Sequence, residues 1–358
     1  MTRVLFDAHQ LGRRQTGNET YVRELLRALR GRGDLELIAA VEAGQLPTDV
    51  LAPPVRIRRV PSNGFARLAA MALIARQQRA DVVHAVYFLP PATRRPTVLT
   101  VHDISFERHP EFFSRRALIR DRLFIRASAR AASRVVTVSE TSRRDLVDLY
   151  GLPEDRVIAI PNGVGHGFRP ANETAWAPYP GDRPLRVLAV GTLQPRKNLL
   201  RLLDALVVVG REIPVQLRVV GPDGHQAAAI RRRLSTSVET DTVGWLDDDA
   251  LADEYRRADV FAYPSIYEGF GLPVIEAMAS GTPVVTSTGG SLPEVAGEAA
   301  LLVDPYDVAA LADAIRRIAE DGPGAAVLRA RGLARAATFT WEQSAALHAA
   351  VYRDLVAQ

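Results

Sequence analysis

Two cations stand side by side where a predicted strand gives way to a helix. The run 190–198 reads V-G-T-L-Q-P-R-K-N, with Gly191 at the turn and Arg196 and Lys197 just before the helix. A helix N-terminus presents unpaired N–H groups and a partial positive charge, so it attracts phosphate. A guanidinium fork and a compact ammonium beside it would neutralise a diphosphate. The same run also fits an ordinary loop with two solvated cations, and the local pattern leaves both interpretations open.

Two glutamates flank a second glycine-rich turn. Glu268 and Glu276 lie in the run 265–276, S-I-Y-E-G-F-G-L-P-V-I-E, with Pro273 in the first turn of a predicted helix, where proline is tolerated. Glycines let backbone N–H groups come close to a ligand. Carboxylates accept hydrogen bonds from hydroxyl groups, so a sugar or a ribose is the expected ligand. The carboxylates would equally serve as partners of the helix dipole, and the pattern does not separate the two interpretations.

Strands and helices must position these two runs. Along the chain, strand-like and helix-like segments alternate. This rhythm predicts α/β structure, with mostly parallel sheets and helices on both faces. Strands are predicted at 4–8, 35–41, 81–85, 97–101, 135–138, 185–190, 216–220, 260–263, 283–286 and 301–303. Helices are predicted at 19–30, 67–78, 118–132, 142–149, 198–209, 248–257, 272–279 and 308–319.

The rhythm breaks at residues 160–180, where proline and glycine are dense enough to mark a linker. The sequence therefore predicts two Rossmann-like domains in tandem, spanning 1–165 and 166–340. A C-terminal helix near 341–358 is expected to pack back onto the first domain. Ligands of open α/β sheets bind beyond the carboxyl ends of the strands, so a site in a deep interdomain cleft is expected.

Composition excludes several classes of protein. The 358 residues contain no cysteine, which rules out disulfides, cysteine-ligated metals and thiol catalysis, and fits a cytoplasmic protein. No apolar run is long enough to span a membrane, and the N-terminus lacks the apolar core of a signal peptide. Residues 1–165 carry 26 basic and 17 acidic side chains, whereas residues 166–358 carry 19 and 24. Lys197 is the only lysine among the 45 basic residues.

The spacing of Glu268 and Glu276, in the form E-G-F-G-L-P-x-x-E, resembles the EX7E signature of the GT4 family of retaining, nucleotide-sugar-dependent glycosyltransferases. The resemblance covers nearly the whole chain and is strongest over 185–305. It implies the GT-B fold, which consists of two facing Rossmann-like domains. The flanking motifs occur in the family's order: Gly191, Arg196-Lys197-Asn198, Gly281-Thr282-Pro283-Val284-Val285, Gly289-Gly290 and Pro293-Glu294.

The resemblance also implies roles on the donor side. Arg196 and Lys197 would neutralise the donor diphosphate, and Glu276 would bind the ribose. Glu268 would bind the hydroxyl groups of the donor sugar. The other expected donor-binding residues are Gly191, Thr192, Gly244, Trp245, Leu246, Gly269, Phe270, Gly271 and Leu272. Family members work without a bound metal, so the acidic run 247–249 is expected to cap a helix rather than to hold an ion.

On the acceptor side, His102 and Asp103 resemble the family's His-Asp pair at the end of a strand, close to the transferred sugar. A strand-end histidine held by the neighbouring carboxylate is the alternative. Gly17 and Asn18 match the family's glycine-rich first loop, although the usual second glycine is absent. Residues 162–165 resemble the Asn-Gly-Val-Asp segment that lies between the domains in this family, but the final Asp is absent from this chain. The segment is interpreted as a hinge. Four further histidines are interpreted as structural: His84, His109, His225 and His348.

The segment 114–134, S-R-R-A-L-I-R-D-R-L-F-I-R-A-S-A-R-A-A-S-R, interleaves arginines with apolar residues. It fits a surface that touches an anionic membrane or a lipid-diphosphate acceptor. It also fits a core-facing helix whose other face is solvated arginine. Nucleic-acid binding is not expected, because no reader module accompanies the basic patch.

Together these features predict transfer of a hexose, with retention at the anomeric carbon, from a nucleoside-diphosphate sugar to an acceptor hydroxyl. GDP-mannose is the preferred donor and a UDP-hexose the alternative. The acceptor would be a glycan or a lipid-linked sugar in polysaccharide or glycolipid synthesis. A nicotinamide-dependent oxidoreductase would need G-x-G-x-x-G after the first strand, which residues 5–17 do not supply. A non-catalytic nucleotide-sugar-binding protein remains the second alternative.

Overall fold

A computed structural model describes residues 1–13, 17–42, 44, 50–170, 176–235 and 238–358. The chain forms two compact units. The first comprises Met1–Arg108, Ser114–Gly163 and Thr340–Gln358, and the second comprises His109–Phe113 and Val164–Phe339. The short segment 109–113 thus groups with the second unit although it comes from the first half of the chain. Of the predicted linker 160–180, residues 171–175 lie outside the described residues.

Each unit is built on one parallel sheet, which confirms the predicted α/β class. The first sheet contains β1 (Thr2–Asp7), β2 (Leu35–Val41), β3 (Arg56–Arg59), β4 (Val82–Val86), β5 (Thr97–Thr100), β6 (Arg134–Thr137) and β7 (Val157–Ala159). The second contains β8 (Leu185–Val190), β9 (Val215–Val220), β10 (Glu239–Val243), β11 (Val260–Tyr263), β12 (Val284–Ser287) and β13 (Leu301–Val303).

Among the described residues, nine helices correspond to predicted ones, and four have no counterpart in the sequence prediction: Ser105–Arg108, Ala227–Leu234, Leu292–Ala296 and Gly322–Ala336. Up to the end of the first half the helices are α1 (Gly17–Arg30), α2 (Gly64–Gln77), α3 (Ser105–Arg108), α4 (Arg115–Ala131) and α5 (Glu140–Tyr150). The remainder are α6 (Leu199–Val209), α7 (Ala227–Leu234), α8 (Asp248–Arg257), α9 (Leu272–Ala279), α10 (Leu292–Ala296), α11 (Val308–Glu320), α12 (Gly322–Ala336) and α13 (Trp341–Ala357). Across the described residues, none of these helices has both the length and the apolar character needed to cross a bilayer.

Strand order fixes where each sheet can bind a ligand. The first sheet runs β3-β2-β1-β4-β5-β6-β7 and the second β10-β9-β8-β11-β12-β13. In such doubly wound sheets the order reverses at one point, and the loops there diverge to leave a crevice beyond the carboxyl ends of the strands. That switch point lies between β1 and β4 in the first sheet and between β8 and β11 in the second.

Apolar periodicity explains how the helices pack on these sheets. In α6, L-L-R-L-L-D-A-L-V-V-V, the buried face includes Leu202, Leu203 and Leu206, which join Leu217 of β9 in the core of the second unit. Burial of a leucine of this kind contributes about 1.5–3 kcal/mol, so several on one face fix the helix against the sheet. The loops at the carboxyl edge are positioned by this rigid layer.

The C-terminal helix α13 belongs to the first unit and is bound there through a buried polar network. The hydroxyl of Tyr352 lies 2.6 Å from Nδ1 of His84 on β4, and Nε2 of His84 lies 2.7 Å from Oγ1 of Thr100 on β5. The hydroxyl of Tyr21 on α1 lies 2.8 Å from the same Thr100 oxygen and 3.0 Å from Nε2 of His348. All five side chains are completely buried.

Apart from the short segment 109–113, the chain passes between the units twice, at 163–164 and at 339–340, and these two crossings run beside each other. On the side of the second unit, Val164 N–H donates to the carbonyl of Phe339 at 3.0 Å. On the side of the first unit, a side chain at Gly163 would collide with the backbone of Thr340 and Trp341. The predicted hinge motif at 162–165 therefore includes the first of these two crossings.

Candidate active site

The switch point of the second sheet is assembled from the loops that follow β8 and β11. After β8 the backbone turns at Gly191, whose φ of 140° is a conformation that favours glycine. A Cβ at Gly191 would lie 3.1 Å from Cε of Lys197, so the missing side chain makes room for the lysine. A short 3₁₀ helix, Pro195–Lys197, then leads into Asn198 and α6. The predicted phosphate-binding run thus lies on a strand–turn–helix, as expected.

Asn198 connects this turn to neighbouring loops through hydrogen bonds. Its backbone is left-handed (φ 59°), and its side-chain Nδ2 donates to the carbonyls of Pro264, at 3.0 Å, and Pro305, at 2.6 Å. Ile266 N–H donates to the carbonyl of Arg196 at 2.9 Å. The loops after β8 and β11 are therefore held in one arrangement, with Arg196 and Lys197 between them.

Three charged side chains meet at this point. Nη1 of Arg196 lies 2.9 Å from Oε2 of Glu268, and Nζ of Lys197 lies 2.7 Å from Oε1. Arg196 also donates to the carbonyl of Tyr267. All three charged side chains are mostly buried, with exposures of 14%, 11% and 9%. The trio carries a formal charge of plus one, next to the N-terminus of α6.

Burial and the two neighbouring cations shift the pKa of Glu268 in opposite directions. Burial alone would raise the pKa of its carboxyl group, but the charges of Arg196 and Lys197 outweigh burial and lower the pKa to about 2. Glu268 is therefore ionised at any physiological pH. A carboxylate held in this way can accept hydrogen bonds from hydroxyl groups without changing its charge.

Tyr263 is a residue of this site that the sequence analysis missed. It is the last residue of β11; its hydroxyl lies 2.5 Å from Nζ of Lys197, and its ring centroid lies 4.7 Å from the same nitrogen. Burial raises the pKa of Tyr263 well above its ordinary value, so the hydroxyl stays protonated. Its position at the carboxyl end of a switch-point strand is the signal that would have identified it.

A glycine-rich turn after β12 supports the backbone around Glu268. Gly290 has a φ of 62°, and a side chain there would collide with the backbone of Glu268. Ser291 donates its N–H to the carbonyl of Glu268 at 2.9 Å and its hydroxyl to the carbonyls of Glu268 and Phe270, both at 3.0 Å. The predicted Gly289-Gly290 motif thus has a structural reason, which is close approach to the Glu268 loop.

The second glutamate of the motif has different partners. Gly271 (φ 100°) precedes α9, and Glu276 lies one turn into that helix, where its Oε2 accepts from the hydroxyl of Tyr255 at 3.0 Å. Both Glu276 and Tyr255 are buried. The two glutamates therefore hold separate places: Glu268 joins the cations, and Glu276 joins a tyrosine of α8.

The remaining donor-side residues line the same edge. Thr192 follows Gly191, Gly269 and Phe270 lie in the turn that leads into α9, and Leu272 is the first residue of α9. Gly244, Trp245 and Leu246 follow β10, and the Trp245 side chain is 41% exposed. Asp247 caps α8 by accepting from Ala250 N–H at 2.9 Å, which is the predicted cap. In the described part of the chain, no group of three or more acidic or histidine side chains is arranged to hold a metal ion.

His102 lies in the first unit, just beyond β5. Its ring packs edge-on against Tyr21, at 4.6 Å, and its Nε2 is buried with no hydrogen-bond partner among the described residues. Burial lowers the pKa of His102 to about 4, although the negative charge of Asp103 acts to raise it. The Asp103 carboxylate accepts from Ser105 N–H at 2.8 Å and so caps α3. Gly17 and Asn18 are the first two residues of α1.

A carboxylate–histidine pair that the sequence analysis also missed lies at the end of β1, whose last residue is Asp7. Oδ1 of Asp7 lies 2.8 Å from Nδ1 of His9, and Asp7 is completely buried. Tyr87, just beyond β4, has a φ of 62°, which is rare for a residue other than glycine, and its ring packs edge-on at 5.6 Å from His102. The D-x-H spacing at the end of the first strand is the signal that would have marked the pair.

Two family models match the chain. The model described as "Glycosyltransferase Family 4" matches residues 16–167, and the one described as "Glycosyl transferases group 1" matches residues 184–321. These matches follow the order of the two sheets.

Relatives and solved structures agree with the models. The chain is 31% identical over 277 residues to O-antigen chain mannosyltransferase B from Escherichia coli, covering 73% of this chain and 71% of the relative. It is 30% identical over 404 aligned positions to MMP alpha-(1->4)-mannosyltransferase from Mycolicibacterium hassiacum, covering 96% and 95%. The sucrose-phosphate synthase of Thermosynechococcus elongatus superposes over both complete chains with a TM-score of 0.80 at 25% identity.

Two Rossmann-like units with a cation-rich switch point in the second define a glycosyltransferase of the GT-B class. Within that class, the chain belongs to glycosyltransferase family 4.

Proposed function

We propose that this protein transfers a hexose, mannose in the first instance, from a nucleoside-diphosphate sugar to the hydroxyl of a glycan or lipid-linked acceptor, with retention at the anomeric carbon. The observation that supports this most is the convergence of Arg196 and Lys197 on Glu268 at the switch point of the second sheet. A diphosphate leaving group gains negative charge as the bond to the sugar breaks, and fixed cations stabilise that charge.

In the proposed reaction the bond between the anomeric carbon and the diphosphate oxygen breaks while the acceptor oxygen attacks the same face. The acceptor proton passes to the departing diphosphate oxygen, so no protein nucleophile is required. Arg196 and Lys197 stabilise the leaving group, Glu268 orients the sugar hydroxyls, and Glu276 holds the ribose. The cations take the place of a metal ion, so transfer should persist in EDTA.

The proposal of GDP-mannose as donor is supported by the mannosyltransferases among the relatives. A UDP-hexose is the alternative donor. Measuring nucleotide release from GDP-mannose, UDP-glucose and ADP-glucose, with a mixture of methyl glycosides as acceptors, tests the choice. Release from GDP-mannose at least tenfold above the others is expected. Faster nucleotide release from UDP-glucose than from GDP-mannose would show that the donor is a UDP-hexose. Binding of a nucleotide sugar without release or transfer would favour a non-catalytic binding protein.

We also propose that α4 docks on an anionic membrane at the cytoplasmic face, where a lipid-linked acceptor would be available. Ile119, Leu123 and Phe124 are 63%, 63% and 58% exposed. Exposed arginines occur along the same helix: Arg115, Arg116, Arg120, Arg122, Arg126 and Arg130. Exposed apolar residues among cations are typical of a helix that lies in a membrane interface.

Co-sedimentation with vesicles tests the docking surface. Binding to vesicles containing phosphatidylglycerol, and little binding to pure phosphatidylcholine, is expected. The Leu123→Ser/Phe124→Ser variant should weaken binding at least fivefold, whereas Leu73→Ser, on the exposed side of α2, should not change it. Equal binding of both variants and the parent protein would overturn the assignment.

A further inference from the structure

Four of the buried aromatic rings in the second unit form a row. Phe168 packs edge-on against Tyr255, with ring centroids 5.9 Å apart, and Tyr255 packs edge-on against Phe261 at 5.2 Å. Phe261 and Tyr263 lie two residues apart on β11, so they share a face of the sheet, and their rings stack at 5.7 Å. Such contacts attract the rings beyond the effect of apolar burial. Each ring of this aromatic row is therefore held by its neighbours.

The two tyrosines of the aromatic row are also fixed through their backbones. Thr282 donates its hydroxyl to the carbonyl of Tyr255 at 2.6 Å, and Thr286 donates its hydroxyl to the carbonyl of Tyr263 at 2.9 Å. Thr286 of β12 is also the residue that pairs with Tyr263 in the sheet. Both threonines are buried. Side chains supported in this way by rigid elements hold a precise position.

The hydroxyl groups of these tyrosines contact two charged residues of the candidate site. Tyr255 donates to Oε2 of Glu276 at 3.0 Å. The hydroxyl of Tyr263 accepts from Nζ of Lys197 at 2.5 Å. Burial raises the pKa of both tyrosines well above the ordinary value, so both hydroxyls stay protonated. One tyrosine therefore supports a carboxylate, and the other supports an ammonium group.

The contact with Tyr263 limits the orientation of the Lys197 ammonium. An ammonium group has three N–H donors, and fixing two of their directions also fixes the third. Nζ of Lys197 donates to the Tyr263 hydroxyl and, at 2.7 Å, to Oε1 of Glu268. Gly191 limits the same side chain further, because a Cβ there would lie 3.1 Å from Cε of Lys197. Tyr263 thus helps to set the direction in which Lys197 meets a leaving diphosphate oxygen.

The contact with Tyr255 has a different consequence. Glu276 belongs to α9 and Tyr255 to α8, so their hydrogen bond connects the carboxylate to a second helix. Hydrogen bonds to an ionised carboxylate are roughly twice as strong as those between neutral groups. The ribose undergoes no chemical change during transfer, so a displaced Glu276 would weaken binding of the substrate and of the transition state alike.

We propose that Tyr255 and Tyr263 are positioning residues of the donor site and that Phe261 joins them. Tyr263 orients Lys197 toward the diphosphate, and Tyr255 orients Glu276 toward the ribose. The aromatic row sets the spacing between the group that stabilises the leaving charge and the group that holds the nucleoside. This inference rests on the proposed function, which it extends from the charged residues to the aromatic residues that hold them.

Two phenylalanine variants separate these roles, because each removes one hydroxyl and keeps its ring. Tyr263→Phe should lower kcat for nucleotide release from the preferred donor about tenfold, the effect of one lost hydrogen bond, with KM within about twofold. Tyr255→Phe should raise KM for the donor about tenfold, with kcat within about twofold, because it weakens binding in both states. Phe261→Leu should lower kcat and raise KM together, since it loosens both tyrosines.

Tyr179→Phe is the matched control. The Tyr179 hydroxyl donates to the carbonyl of Arg183 at 2.5 Å, and its ring centroid lies 5.6 Å from the guanidinium carbon of the same arginine. This tyrosine thus has both kinds of contact but belongs to the second unit outside the aromatic row. Its variant should change neither kcat nor KM, and circular dichroism should show that all four variants are folded.

Nuclear magnetic resonance supplies a readout that does not depend on turnover. Because Lys197 is the only lysine of the chain, protein made with 15N-labelled lysine gives a single ammonium resonance. GDP should shift this resonance saturably in the parent protein. Tyr263→Phe should shift it without GDP, whereas Tyr255→Phe and Tyr179→Phe should leave it unchanged.

The outcomes distinguish this inference from the proposed function. An unchanged kcat in folded Tyr263→Phe, an unchanged KM in folded Tyr255→Phe, or equal effects in Tyr179→Phe would overturn the inference. The proposed function would still stand if GDP shifted the Lys197 resonance. A change in only one kinetic constant in Phe261→Leu would overturn the connection through that ring. A Lys197 resonance that does not respond to GDP in the parent protein would contradict the diphosphate site, and with it both proposals.

Discussion

Lys197 contacts three groups of different kinds: the Glu268 carboxylate, the Tyr263 hydroxyl and the face of the Tyr263 ring. A lysine side chain is flexible and ordinarily loses considerable rotamer freedom when it binds a ligand. Because these contacts already confine Lys197 beside Arg196, little further ordering is needed to meet a diphosphate. The positive charge that would stabilise a diphosphate is thus already in position before the donor binds.

Replacing Lys197 tests this preparation. Lys197→Ala should lower kcat/KM for the donor by about 10²–10³, the usual effect of removing one preorganised group that stabilises transition-state charge. Arg211→Ala is the matched control, because Arg211 is an exposed cation just beyond the far end of α6. Steady-state nucleotide release distinguishes them, and a folded Lys197→Ala variant with undiminished kcat/KM would refute the diphosphate role.

Glu268 should matter to stability as well as to transfer. Glu268→Gln leaves two buried cations without their carboxylate, so the free energy of unfolding at pH 7 should fall by about 3–5 kcal/mol. The pKa of Glu268 is lowered in the folded state, so its contribution is present above its ordinary value near 4.5 and is lost as the pH falls towards about 2. Urea denaturation at pH 7 and pH 3 should therefore show a smaller difference between the two proteins at pH 3.

The same variant separates sugar recognition from nucleotide binding. Transfer by Glu268→Gln should be lost while GDP binding persists in calorimetry. Equal loss of transfer and nucleotide binding in a folded variant would contradict the role of Glu268 in holding the donor sugar.

At this scale the sequence predicted part of the site. Arg196, Lys197 and Glu268 were placed together because the motif spacing resembles a known family. Tyr263 was missed because a tyrosine at the end of a strand looks like any core aromatic. Asp7 and His9 were missed because the predicted strand 4–8 includes Asp7, so this aspartate was taken as part of the strand and not as the partner of a histidine two residues later.

At the scale of elements, prediction succeeded where apolar periodicity is strong. The bounds of α8, α9, β11 and β13 match those predicted, since a cap, a glycine or a buried run marks each end. The sequence failed at three edge strands: β3 (R-I-R-R) and β10 (E-T-D-T-V) are charged or polar, and β7 (V-I-A) is too short to show a period. Edge strands face solvent on one side, so they need no apolar run and leave no periodic signal.

The buried network beneath α13 should make the first unit acid-sensitive. Burial lowers the pKa of His348 to about 4 and that of His84 well below its ordinary value. Both histidines are neutral when folded, so their contribution is present above their ordinary pKa near 6.5 and is lost as the pH falls from there towards 4. The free energy of unfolding should therefore decline between pH 7 and pH 5.

His348→Gln removes one proton-binding site but keeps a side chain that can hydrogen-bond to Tyr21. Between pH 7 and pH 5 the free energy of unfolding of this variant should fall less than that of the parent protein. Urea titrations of both proteins at the two pH values measure the difference. Parallel declines in the two proteins would show that the network does not set the acid sensitivity.

At the scale of the whole molecule, the crossings at 163–164 and 339–340 pack closely against each other. Gly163→Ala places a methyl group against the backbone of Thr340 and Trp341, so it should destabilise the protein by about 1–3 kcal/mol or more. Gly33→Ala is the control, because a Cβ there meets nothing within 4 Å. Thermal unfolding compares them, and an unchanged Tm in Gly163→Ala would show that the crossing tolerates movement.

The same crossings have a consequence for how the protein is made. The first unit is interrupted at Gly163 and resumes only at Thr340, so the ribosome finishes the second unit before it begins α13. Domains made during synthesis fold roughly in order of their completion. Until α13 is made, Tyr21 and His84 in the nascent first unit therefore lack their hydrogen-bond partners His348 and Tyr352. The seventeen-residue helix α13 completes a core that was begun by the first strand.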